Sequence, residues 1–208
     1  MNRFYYHGIT DNALVCLESI LNAGAILSRS LMNDKQLEIS NHEYIGYNGY
    51  NYISVCKKYY NGELSDCYDE YIRNNISLII VNPTHLSYTQ LINSNDKDSN
   101  NYQDYYNNYH NCNARYSDLT GEFQVYEKIP LKNIVAFAYP LTMLIEDVEN
   151  SYMSKEDKIK EYRKIILDYY HLNELLKKYK INKPIIDLEN WQLVNDNLDK
   201  VKHQLIKH

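Results

Sequence analysis

The chain has 208 residues, 44% of them hydrophobic and 24% charged, enough for one domain with a real core. Its 27 acidic and 22 basic side chains give a formal charge of −5, which argues against a nucleic-acid coat protein that must neutralise many phosphates. The apolar runs are too short to cross a bilayer, and Met1–His7 lacks a charged-then-apolar leader, so a cytoplasmic protein with no membrane partner is expected.

The first segment, Phe4–Thr10, predicts a short aromatic strand ending in a turn. Thr10 or Asp11 can cap the helix that follows, in which Leu14, Leu17, Ile20 and Leu21 recur at helical spacing until Gly24 stops it. Ala25–Ser30 reads as extended or loop. Tyr50–Cys56 follows a Gly-Tyr-Asn-Gly turn at 46–49 and predicts a strand. Asp69–Arg73 has helical character, and Ile76–Val81, closed by Asn82-Pro83, predicts a buried strand. Residues 93–113 contain 8 Asn and no apolar period, the pattern of a long exposed loop.

Glu122–Glu127 alternates as a strand, and Ile134–Tyr139 is another, stopped by Pro140. From Ser154, with Asp157 three residues on, a capping box opens a long helix whose stripe runs through Ile159, Tyr162, Ile166, Tyr169 or Tyr170, Leu172, Leu175 and Leu176. A last helix is expected from about Leu188 to Ile206. Charge divides the chain at the same place as pattern does: residues 1–150 carry 10 basic and 18 acidic side chains, residues 151–208 carry 12 and 9. The expected architecture is therefore α+β, a strand-rich domain over 1–150 with a helical C-terminal extension over 151–208 packed on it.

Four cysteines, at 16, 56, 67 and 112, form no C-x-x-C pair, so no metal is called for and reduced thiols are expected. Cys56 reads as a small buried apolar residue. Tyrosine is the outlier, with 23 against 3 Phe and 1 Trp, and supplies many flat rings with a polar tip.

Three places carry candidate chemistry. His7, followed by Gly8, stands at a strand-to-turn edge where backbone can approach a ligand. Tyr52 and Ser54 share one face of their strand, with Ile53 and Val55 on the other. Glu122 opens its strand after Thr120-Gly121, on the face of Gln124 and Tyr126; a carboxylate there can bind a sugar diol or stabilise a developing cation. Each also has a plainer reading: a satisfied structural histidine, the wet side of a half-buried strand, an exposed edge carboxylate.

The order of these pieces resembles the bacterial ADP-ribosyltransferase family, and within it the diphtheria-toxin-like and DNA-targeting branches that open on a histidine. The segments that carry the likeness are YYHGIT (5–10), NAGAILSRSL (22–31), NYISV (51–55) and TGEFQVYEKIPLKNIVAF (120–137), spanning about residues 4–139. The resemblance implies a split, twisted β-sheet core with NAD+ as co-substrate in its cleft. It implies that His7 binds the adenosine-side ribose or orients the dinucleotide, and that Gly8 and Arg29 also belong to the NAD+ site. Tyr52, or else Tyr47 or Tyr59, would stack on nicotinamide, Ser54 would support the ribose or the glutamate, and Glu122 would be catalytic.

Arg115 and Tyr116, just before Glu122, and the loop at 93–113 lie where the family meets its acceptor. Thr120 stands where arginine-modifying members carry Glu or Gln, which argues against arginine as the acceptor. The middle motif, Tyr-Ile-Ser-Val-Cys, departs from both branches, and Glu127 is the fallback carboxylate. The implied activity is transfer of ADP-ribose to a macromolecule, protein or nucleic acid, by a bacterial or phage toxin or effector, with an inhibitor or antitoxin protein as a further partner. The alternative is a non-catalytic transferase-like module that binds a protein through its C-terminal helices.

Overall fold

Alternating aromatic and aliphatic residues make Phe4–Ile9 the strand β1, around which the sheet is arranged. The computed structural model describes residues 4–9, 12–28, 31–32, 52–60, 63–65, 67–81, 114–116, 122–126 and 128–199. Gly24, at φ 72°, ends α1 (Ala13–Ala23) in the left-handed conformation that glycine adopts without steric cost. Asn12, at φ 43°, is the N-cap; Thr10 and Asp11 lie outside the described residues. Beyond α1, β2 (Ala25–Leu27) pairs antiparallel with β9 (Lys128–Pro130), so the stretch expected to be extended or loop is a strand.

The remaining sheet strands are β3 (Tyr52–Cys56), β6 (Ile76–Val81), β7 (Ala114–Tyr116), β8 (Glu122–Tyr126), β10 (Ile134–Ala138) and β11 (Ile185–Ile186). A small hairpin, β4 (Tyr59–Tyr60) with β5 (Glu63–Leu64), stands apart from them. Among the described residues the main sheet has the order β11-β10-β6-β1-β3-β8-β7. It is mixed, because β11 runs parallel to β10 while the other pairs are antiparallel. The α+β class expected from the pattern is the class observed.

Strand alternation sorts the core into two layers. One face sends Tyr5, Ile9, Ile53, Val55, Leu78, Ile80 and Val125 against Leu17 and Leu21 of α1. The other face carries Tyr6, Cys56, Ile79, Ala136 and Ala138 beneath a π-helical turn, Tyr68–Ile72, whose Tyr68 and Ile72 are buried on it. Each large apolar side chain so buried contributes about 1.5–3 kcal/mol, which makes both layers essential to a domain of marginal net stability. Cys56 is fully buried, as its apolar reading required.

Residues beyond 150 share this core. In α3 (Lys155–Lys178), Ser154 is the N-cap: its hydroxyl accepts from the Asp157 N–H at 3.1 Å and donates to the Asp157 carboxylate at 2.8 Å. The buried stripe is Tyr162, Ile165, Tyr169, Leu172 and Leu176, which selects Tyr169 over Tyr170. The Tyr139 hydroxyl donates to the Ile165 carbonyl at 2.7 Å and fastens the end of β10 to α3.

Two elements differ from expectation. Pro140 ends β10 but also begins α2 (Leu141–Asn150), since proline fits the first turn of a helix, where its missing N–H is not needed. The last helix does not begin at Leu188. The fully buried Asp187 accepts from the Thr142 N–H and hydroxyl, and from the Glu189 N–H. These bonds hold 188–190 in a turn, Trp191 takes φ 57°, and helix resumes only at 194. Residues 200–208 lie outside the described residues.

Candidate functional site

Two edges of β1 are built differently. Against β6 it is paired throughout, from Phe4↔Val81 to Ile9↔Ile76. Against β3 the register holds at Tyr6↔Cys56 alone among the described residues. The sheet therefore opens between β1 and β3 immediately after Tyr6. His7 stands at the opening.

The His7 ring reaches across it. Nδ1 lies 2.8 Å from the carbonyl oxygen of Ser54, 47 residues away. A carbonyl can only accept, so Nδ1 carries the hydrogen and, in the neutral ring, Nε2 is left as an acceptor. The ring N–H thus serves the Ser54 carbonyl where a ladder N–H from β1 would otherwise do so. Burial holds the His7 pKa below the ordinary 6.5, partly offset by this hydrogen bond, which favours the charged ring. At neutral pH the imidazole is an uncharged, oriented acceptor.

Gly8 does something other than admit a ligand. A Cβ there would lie 2.2 Å from the Tyr71 carbonyl oxygen and 3.3 Å from the Ile72 side chain. Glycine is required because the π-helical turn crosses β1 at that point. The close approach foreseen from sequence is made by the chain's own backbone.

Register places the other candidates. Cys56 is partnered by Tyr6 on one side and Glu122 on the other, so the Glu122 backbone stands two strands from β1, about 10 Å away, in the row of Tyr6. The next row but one joins Ser54, Gln124 and Arg115, and Tyr52 pairs with Tyr126. His7 alternates with Tyr6 along β1, so its row is the intervening one, on the opposite face of the strand. Ser54 is exposed while Ile53 and Val55 are buried, as alternation predicted.

Tyr52, Arg115, Tyr116 and Glu122 take their places by strand and register. Arg29, Tyr47, Thr120, Glu127, the turn at 46–49 and the stretch 93–113 lie outside the described residues. Among the described residues no three His, Cys, Asp or Glu side chains gather as a metal site, and no helix is long and apolar enough to cross a membrane.

An aromatic cluster that sequence reasoning missed adjoins the Glu122 row. Tyr6 packs edge-on against Tyr68, centroids 4.9 Å apart, and against Trp191 at 6.3 Å. The Lys58 ammonium lies 5.5 Å from the Tyr68 ring, 5.6 Å from Tyr59 and 5.7 Å from Trp191, within cation–π range of all three. Tyr59 is largely exposed, whereas the Tyr68 hydroxyl is buried with no hydrogen-bond partner among the described residues. Burial pushes the Tyr6 and Tyr68 phenols well above the ordinary tyrosine range, so both are neutral donors at any physiological pH.

The cluster is tied to the C-terminal segment by Arg73, whose guanidinium bonds Glu189 through Nε and Asp69 through a terminal nitrogen at 2.9 Å. Those carboxylates raise the Arg73 pKa further above its ordinary value. The only sequence signal was the Lys58-Tyr59 pair leaving β3. Trp191 falls within the stretch expected to be the last helix, and takes φ 57° instead.

Comparison with known proteins gives no relative: no family model, curated protein or solved structure matches the chain.

Proposed function

We propose that the chain is an NAD+-dependent ADP-ribosyltransferase that transfers ADP-ribose to a macromolecular acceptor. The observation that carries this reading is the opening between β1 and β3, where His7 spans to the Ser54 carbonyl and the strand beginning at Glu122 pairs beside Cys56. Parts of three segments that carry the family likeness, β1, β3 and β8, are neighbours in the sheet, with His7 and the Glu122 row on opposite faces of it. A split β core is what the resemblance implies, and a sheet that parts at β1/β3 fits it.

The residues suit a dinucleotide. His7 offers Nε2 as an acceptor for a ribose hydroxyl, in an orientation fixed by its bond to Ser54. Among the tyrosines considered for stacking on nicotinamide, we assign the role first to Tyr59, the exposed ring of the cluster that adjoins the Glu122 row, ahead of Tyr52 and Tyr47. Glu122 takes the electrostatic role. When the bond between nicotinamide nitrogen and ribose C1′ breaks, its electron pair leaves with nicotinamide and positive charge grows on the ribose. A fixed carboxylate near that sugar favours the transition state over the ground state. The acceptor atom then bonds to C1′ and releases its proton.

The test is nicotinamide release from NAD+, alone and with protein, DNA or RNA as acceptor. Glu122→Gln is expected to lower the rate about 10²–10³-fold, the scale of losing one preorganised electrostatic partner. Unchanged release in that variant would remove Glu122 from the mechanism. No NAD+ turnover with any acceptor would favour the non-catalytic binding module instead.

A further inference from the structure

Between α2 and α3 lies a cavity of about 200 Å³, away from the opening beside β1. Its floor is apolar, made by Leu144, Val148 and Ile165, with Met153 at the helical connection. Its rim is acidic, carrying Asp147, Glu161 and Asp168 against a single cation, Lys164. Among the described residues Asp147 and Asp168 form no ion pair, and Glu161 meets Lys164 only at 4.0 Å.

Size and charge together restrict the occupant. Pockets for whole metabolites usually run to about 300–1,000 Å³, so this one is suited to a single anchoring side chain. Carboxylates that outnumber the one lysine around an apolar floor repel an acidic partner and attract a basic one. The two antiparallel helices offer a trough of the kind that receives an amphipathic helix. Beside it, Tyr152 is fully exposed and Met153 is nearly half exposed, residue types that interfaces favour.

We propose that this groove docks a basic amphipathic helix of a partner protein, which seats one apolar side chain in the cavity and sets Lys or Arg side chains against Asp147, Glu161 and Asp168. The site stands independently of the transferase reading, since none of its residues belongs to β1, β3 or β8.

The experiment uses the full chain and two synthetic amphipathic helices, one of leucine and lysine, the other with glutamate in place of each lysine. Binding is measured by calorimetry at low and high salt. The lysine helix is expected to bind and the glutamate helix not to, with affinity falling as salt screens the rim. In the variant Asp147→Lys/Asp168→Lys, Asp147 being exposed and Asp168 half-buried, the lysine helix should bind about tenfold or more weakly. The glutamate helix should gain binding in the same variant, a gain that a misfolded protein would not give. Met153→Ser, which removes apolar surface without adding charge, should weaken the lysine helix while leaving the melting temperature in place. Equal binding of both helices, binding unmoved by charge reversal, or no binding of the lysine helix would each overturn the proposal. So would self-association of the wild type that charge reversal abolishes, since a second copy would then be the occupant.

Discussion

Along one edge β1 is paired with β6 over its whole length; along the other it meets β3 at Tyr6↔Cys56 and then parts from it. The closed edge is a stability device. Ile76-Ser-Leu-Ile-Ile-Val81 is apolar on both faces, and Leu78, Ile79 and Ile80 are buried in both core layers at once. On the open edge polar groups replace the ladder: an imidazole bonds a carbonyl, Ser54 is exposed, and glycine at position 8 lets a turn cross the strand. One strand thus joins a half of the sheet paired along its whole length to a half paired at a single position. A site formed at the opening inherits its geometry from the closed side.

That contrast can be broken from either edge. Leu78→Ala removes a fully buried side chain on the closed edge and should cost about 2–5 kcal/mol, read as a lower midpoint in denaturant unfolding. Equal destabilisation by Ser54→Ala, at an exposed position on the open edge, would erase the distinction between them. Gly8→Ala sets a methyl against the Tyr71 carbonyl, a backbone atom that cannot swing aside. It should cost about 1–3 kcal/mol and shift the turn at Tyr68–Ile72, seen as a change in near-ultraviolet circular dichroism from the tyrosines there. An unaltered spectrum and stability would mean that the turn does not bear on β1.

The smallest expected effect is that of pH on His7. Its folded pKa lies below the unfolded 6.5, so between those values the unfolded chain binds the extra proton. The contribution of the neutral ring is complete above about 6.5 and declines as pH falls through the unfolded value toward the folded one. His7→Asn, which retains a donor for the Ser54 carbonyl, should flatten that part of the stability profile. An identical slope in wild type and variant would show that His7 is not the group responsible.

The sequence made the strands legible because five of them state their period openly. Phe4–Ile9, Tyr52–Cys56, Ile76–Val81, Glu122–Tyr126 and Ile134–Ala138 fall within or close to the expected bounds. The Ser154/Asp157 box located α3 to the residue. Helix α2 was hidden by Pro140, which ends one element and starts another, although Leu141, Leu144, Ile145 and Val148 hold the helical spacing. Asp187 and Trp191 were beyond reach for a different reason: the turn they form depends on Thr142, 45 residues earlier. The site was half legible. Its residue types and order were visible, but the bond from His7 to Ser54 and the aromatic ring of Lys58, Tyr59, Tyr68 and Trp191 exist only through long-range pairing.

The central claim is that the opening between β1 and β3 handles NAD+, and its most direct test is nicotinamide release by wild type, His7→Ala and Glu122→Gln side by side. The account predicts turnover in the wild type and a fall of about 10²–10³-fold in Glu122→Gln, together with a marked loss in His7→Ala, while all three proteins stay folded. Release that persists at wild-type rate in both folded variants would contradict it.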